Sequence, residues 1–406
     1  MPKSDSLTAA RTAEPEFPVE LRSVARTLRS ALSTLLTSSG LDPQDPQSLV
    51  RGWGVNRQLA WKISKVIQID DPYGALHHLP GTEGLAILLR KATEAGVPAR
   101  IVEATREAAT AFDRLVETHC GDRSIFDIMG SAMSSSDLAR QHQEALRKQF
   151  FLGASAIWGA HTAVNQTAWF VAPSDPAGAD RSFDMVSIKS WIGFRRLCEN
   201  LSWVVSRHMS RRDDGTYWQM SEPEPLDPRS DSTRPLMLDF CSDPPPPLSV
   251  REDQGRVTVS IAPGPVGNVG QVTCSFGRLH RRVAAPTQDP LMKLGCTLGI
   301  PSEMAIFDVY IHESMRYALP PEVVLTSLLE ARGPGLEPGL LPLLEPLVEL
   351  GAPTPAPLTL EVPRYAEMLD LVFDRTGWRP DEFLGYRLKM AYPPMPAQLL
   401  MQCAMP

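Results

Sequence analysis

The sequence predicts a multidomain α + (α+β) protein, with an all-α N-terminal region followed by a C-terminal mixed α/β region whose strands are mainly antiparallel. Three observations lead there. A chain of 406 residues exceeds what one hydrophobic core usually organises. Residues 19–163 repeat apolar side chains at helical spacing, with Pro and Gly mostly between the periodic segments. Beyond residue 162, aromatic and β-branched runs take over. With 43% hydrophobic and 21% charged residues, the composition is that of folded rather than disordered chains.

In chain order, residues 1–20 are polar, with Glu14, Pro15, Glu16 and Pro18 where a signal peptide needs an apolar core, and read as a disordered tail. Residues 21–130 form the α-helical region. Its first helix carries Leu21, Val24, Leu28, Leu32 and Leu35 on one face and holds Arg22, Arg26 and Arg29 off it. The turn residues Asp42, Pro43, Asp45 and Pro46 precede two short helices near 48–53 and 57–68, and further helices are expected over 82–95 and 98–118. A connecting helix is placed within 131–165, entered through Ser134, Ser135 and Ser136.

Residues 166–406 make up the α+β region. Strands are expected at 169–171, 203–206, 256–261, 271–276 and 305–312, proline-rich loops at 222–247 and 320–363, and helical spacing over 363–386. The tail 392–406 is rich in Met and Pro. The glycine-rich stretch 262–270 is followed by a strand pattern rather than a helix, so it reads as a hairpin connection and not a phosphate cradle. No stretch of about 18 or more apolar residues suggests a membrane span. The six cysteines are scattered without a C-x-x-C pair. A cytoplasmic protein without metal or cofactor is therefore expected, and His77 and His78 after Asp70 and Asp71 read as loop polarity.

Charge is unevenly spread. The chain carries −7 overall, yet residues 21–68 hold Arg22, Arg26, Arg29, Arg51, Arg57, Lys62 and Lys65 against Asp42 and Asp45, or +5, leaving −12 elsewhere. Within that basic stretch, residues 46–65 meet the demands of a helix-turn-helix. Leu49 and Trp53 give the first helix an inward face, Gly54 stands at the turn, Val55 plugs the corner, and Ala60 and Ile63 face inward from the second helix. Asn56, Arg57, Gln58, Trp61, Lys62 and Lys65 point outward. The segment SLVRGWGVNRQLAWKI (48–63) resembles the helix-turn-helix of bacterial transcriptional regulators, with the helix over 21–38 as its support.

The resemblance implies double-stranded DNA as partner, with Asn56, Arg57 and Gln58 at base edges, Lys62 and Lys65 on backbone phosphates, and Trp61 against sugar or backbone. Arg22, Arg26 and Arg29 would add contacts from the first helix. It also implies a homodimer on two half-sites and a C-terminal region that senses a small-molecule or protein effector, binds a partner or dimerises. Two readings stay beside it. The helix-turn-helix also serves as a scaffold or protein-interaction module. An enzyme is the other: Asp308, Tyr310 and His312 share one strand face and form a candidate catalytic row, with His312 as general base.

Overall fold

In the computed structural model, the stripe Leu21, Val24, Leu28, Leu32 and Leu35 is the buried face of α1 (Phe17–Thr37). The structure describes residues 16–134, 136–175, 182–209, 223–253, 256–284, 291–318, 320–329, 339–351 and 358–404. Residues 1–15, most of the expected tail, lie outside this set. Residues 17–20 are not tail: they form the first turn of α1, because Phe17 is buried against the rings of His119 and Phe126. The chain divides into two compact units, Met1–Gln143 and Glu144–Pro406.

In the first unit, α1 is followed by α2 (Pro46–Trp53), α3 (Arg57–Gln68), α4 (Pro72–His77), α5 (Thr82–Glu94), α6 (Ala99–His119) and α7 (Arg123–Met133). The short helices begin where a side-chain oxygen accepts an otherwise orphaned backbone N–H. Asp45 accepts from Gln47, Asn56 from Leu59, Asp71 from Gly74 and Asp122 from Ile125. Helix α1 packs along α6. Arg123 lies 4.6 Å from the Phe112 ring and donates to the Leu76 carbonyl at 2.7 Å, so one half-buried guanidinium satisfies the end of α4 while resting on an aromatic ring.

The expected connecting helix is shorter than 131–165. Helix α7 stops at Met133, and α8 (Asp137–Trp158) stops before Gly159, whose φ of +70° breaks helical geometry. A Cβ at Gly159 would fall 2.3 Å from Cys198 Sγ, so the turn needs glycine for space as well as for conformation. From Ala160 onward the chain is extended.

Residues 166–406 are not a mixed α/β region but a strand-rich one, although among the described residues its strands do pair mainly antiparallel, with a single parallel pair. Three sheets dominate, the largest of them mixed, and α9 (Tyr365–Thr376) is the one α-helix wholly within this stretch among the described residues. The strands are β1 (Ala160–Pro173), β2 (Ser182–Arg196), β3 (Trp203–Met209), β4 (Glu224–Pro225), β5 (Leu248–Asp253), β6 (Arg256–Ile261) and β7 (Val272–Ala284). There follow β8 (Leu291–Leu298), β9 (Ser302–His312), β10 (Glu322–Ser327), β11 (Leu340–Leu341), β12 (Val348–Gly351), β13 (Phe383–Ala391) and β14 (Ala397–Ala404).

The seven-stranded sheet runs β12-β13-β9-β1-β2-β7-β4, the four-stranded sheet β11-β10-β14-β8 and the three-stranded sheet β3-β6-β5. Strand β1 pairs parallel with β9 and antiparallel with β2. The helical spacing over 363–386 covers α9 and then a strand, the loop 320–363 contains β10, β11 and β12, and the Met- and Pro-rich tail contains β14. The glycine-rich stretch is not a hairpin connection, since it carries the chain from β6 in the three-stranded sheet to β7 in the seven-stranded one.

The central sheet is buried on both faces, which explains why its strands do not alternate cleanly. One face sets Phe307, Val309, Leu388 and Met390 against Leu294, Cys296, Leu399 and Met401 of the four-stranded sheet. The other sets Phe170, Ile306 and Tyr310 against Tyr365, Met368 and Val372 of α9. On this second face Asp308 is fully buried and receives Arg387 Nε at 2.8 Å and Nη2 at 2.6 Å, while the Tyr365 hydroxyl donates to Oδ2. Among the described residues, no helix is long and apolar enough to cross a membrane.

Removing one member of a buried, bidentate pair strands the other charge away from water. Arg387→Met should therefore cost about 3–5 kcal/mol. Urea unfolding of the full chain measures it. A loss below about 1 kcal/mol would place the pair among ordinary surface bridges.

Candidate nucleic-acid interface

The corner between α2 and α3 is built by three residues. Gly54 adopts φ +64° and donates its N–H to the Val50 carbonyl at 3.0 Å, which ends α2. Val55 is buried beneath the corner, and the Asn56 side chain accepts from Leu59 N at 2.7 Å to open α3. Helix α3 then divides by face. Leu59, Ala60, Ile63, Ser64 and Val66 are buried, whereas Arg57, Gln58 and Trp61 are exposed and Lys62 and Lys65 half-buried. Trp61 leaves 44% of its surface to solvent.

The nine sequence-predicted contact residues fall into three groups. Arg57, Gln58, Trp61, Lys62 and Lys65 form one continuous stripe, because positions 57, 58, 61, 62 and 65 span less than half a helical turn in projection. Arg22 and Arg26 are exposed on α1. Asn56 and Arg29 are already engaged. The Asn56 oxygen serves as the helix cap, leaving its amide N–H groups. Arg29 donates Nε to the Ile67 carbonyl at 3.1 Å and Nη2 to Asp70 Oδ1 at 3.0 Å, which ties α1 to the end of α3. Its cation meets the negative end of that helix, a positioning role rather than an outward one.

One neighbour was not singled out from the sequence. The His78 ring stands edge-on to Trp61 at 5.0 Å, and Lys65 Nζ lies 5.9 Å from the Trp61 ring. Burial lowers the His78 pKa from its ordinary value, and the charges of His77, Lys65 and Lys62 lower it further. The imidazole thus registers the positive potential of the stripe. His77 does not join it in a metal cluster, since its Nδ1 bonds to Asp127 Oδ1 at 2.9 Å. Among the described residues, no group of three or more His, Cys, Asp or Glu side chains is arranged to hold a metal ion.

The strand row read as a catalytic candidate is arranged otherwise. Asp308 and Tyr310 are buried, and Asp308 is saturated by Arg387 and Tyr365. His312 lies apart, with Nδ1 at 2.8 Å from Ser314 Oγ and Nε2 at 3.5 Å from Glu382. Burial, with Asp308 next, pushes the Tyr310 hydroxyl far above its ordinary range. The three side chains of the row therefore do not converge on one point: Asp308 and Tyr310 are held in the interior with Tyr365 and Arg387, and His312 keeps separate partners.

Comparison with protein families, with curated proteins and with solved structures finds no match to this chain.

Because the folded state holds His78 below its unfolded pKa, the neutral ring is the stabilised form. That contribution is complete above the unfolded value and is lost as pH falls from about 6.5 toward the folded one. Between pH 7 and pH 5, wild-type protein should lose more thermal stability than His78→Gln, as read by melting temperature at matched ionic strength. Parallel losses would remove His78 from the account.

Proposed function

We propose that this chain is a cytoplasmic, bacterial-type transcriptional regulator that presents α3 to the major groove of double-stranded DNA. The observation that carries the reading is the division of α3: an apolar side packed in the helical unit and an outer stripe of Arg57, Gln58 and Trp61 open to solvent, flanked by Lys62 and Lys65. Arg57 suits guanine by a bidentate fork, Gln58 suits adenine, and the two lysines suit phosphates. Trp61, held between His78 and Lys65, offers a flat apolar surface to a deoxyribose. Arg22 and Arg26 extend the basic surface along α1, while Arg29 and the Asn56 oxygen hold α3 in place. The strand-rich unit then serves for sensing, partner binding or dimerisation.

A selection from a random duplex library, followed by anisotropy titrations over a salt series, tests the proposal. Arg57→Ala is expected to cost about 1–3 kcal/mol and to relax preference at one base. Lys65→Ala should weaken all sequences alike and flatten the salt slope by about one. Absence of salt-dependent binding at low ionic strength would overturn the reading. Equal affinity for all sequences in wild type would reduce it to nonspecific attraction.

A further inference from the structure

Beyond Gln143, helix α8 belongs to the strand-rich unit and commits one side to it. Phe151 and Ala154 are buried, the Phe151 ring lies 5.5 Å from that of Tyr392, and Arg147 donates Nε to the Ala391 carbonyl at 3.2 Å. The opposite side is open and unusually apolar. From residue 150 to residue 158 the exposed positions are Phe150, Leu152, Gly153, Ala156, Ile157 and Trp158, and none carries a charge, whereas a solvated helix face is ordinarily charged or polar.

Ile157 is 82% exposed, Leu152 59%, Trp158 54% and Phe150 47%. These four leave on the order of 500 Å² open, toward the upper end of the largest apolar patch on a soluble monomer. With the half-buried Leu146 before them, Leu146, Phe150, Gly153 and Ile157 follow one another at intervals of four, three and four residues, the spacing with which one helix packs lengthwise on another. Gly153 lies within that row. Glycine in a helix interior costs about 1 kcal/mol relative to alanine, yet a Cβ at Gly153 would meet nothing within 4 Å. Packing among the described residues therefore does not require the missing side chain, whereas a second backbone crossing at this point does.

We propose that this face of α8 pairs with itself across a twofold axis, joining two copies of the chain through antiparallel α8 helices. The row is self-complementary under that operation. With both Gly153 residues near the axis, Phe150 of each copy meets Ile157 of the other, and the backbones approach most closely where the side chains are smallest. Identical faces meet without repulsion because neither is charged. Pairing them buries about 1,000 Å² in total, the area at which specific interfaces begin. The inference does not rest on the DNA reading, since mass is measured without duplex: a dimer that binds no DNA overturns that reading alone.

Sedimentation equilibrium of the full chain over a concentration series tests it. Wild type is expected to reach twice the 44.7 kDa of one chain. Phe150→Lys and Ile157→Glu, both at exposed positions, should each raise the dimer dissociation constant about tenfold or more while leaving the far-UV circular dichroism unchanged. Combining them sets opposite charges against each other on different copies of an antiparallel pair, so the double variant should dimerise more tightly than either single variant; a parallel pair would set like charges together instead. Wild-type association in both single variants, or a double variant weaker than both, would overturn the proposal. So would a wild type that stays monomeric at every concentration, which would leave the face to a lipid surface if the chain floats with phosphatidylcholine vesicles and to a different protein if it does not.

Discussion

The ion pair of Asp308 and Arg387 organises the strand-rich unit. Asp308 sits on β9, fully buried between a sheet and a helix, where an unpaired carboxylate would cost several kcal/mol. Arg387 stands directly opposite on β13 and meets both carboxylate oxygens. The Tyr365 hydroxyl from α9 takes a further acceptor site. One buried charge thus specifies a strand register and the placement of the helix that covers it. A slip of β13 by one residue would turn Arg387 to the opposite face, against the four-stranded sheet, and leave Asp308 unpaired. Apolar packing alone would tolerate several neighbouring arrangements. The charge tolerates one.

Polar side chains discipline the helical unit in a milder way. Asp45, Asn56, Asp71 and Asp122 mark helix starts, and Arg29 and Arg123 close helix ends. These bonds involve partly exposed groups, each worth on the order of 1 kcal/mol, and they aim α3 rather than supply most of its stability. Burial of Leu59, Ala60, Ile63 and Val66 supplies the rest. Positioning and contact are therefore divided between different residues. Arg29, basic and close to α3, orients the helix, while Arg57 on its outer side remains free of a salt bridge among the described residues.

This division explains how much was legible in the sequence. Helical unit and stripe alike follow from a period of 3.6 residues, since each helix has one wet and one dry face. Strands β1 and β9 have two dry faces, so their alternation vanishes. Strand β14, Ala397–Ala404, was hidden by the Met and Pro content around it, although Leu399, Met401 and Cys403 do recur at period two. The partners of individual polar groups are harder still. Arg387 lies 79 residues from Asp308, and nothing local couples them. Asn56 carried both signals, an amide suited to adenine and an amide just before a helix, and the capping role uses its oxygen. His78 meets Trp61 only because α4 folds back beside α3.

The engaged state of Asn56 and Arg29 also bears on how specific one copy of α3 can be. Only Arg57 and Gln58 remain as full bidentate readers on the proposed reading. Each such contact discriminates by about 1–3 kcal/mol, so one helix supplies roughly 2–6 kcal/mol against a typical requirement of about 4–10 kcal/mol. The shortfall is in discrimination, and additional lysines would not close it, since phosphate contacts strengthen every sequence equally. A second α3 reading a half-site about one helical turn away, roughly 34 Å, doubles the term that is short. Because the two ranges overlap only at their edges, a homodimer is what the proposed function favours, with a surface that holds two copies at that spacing.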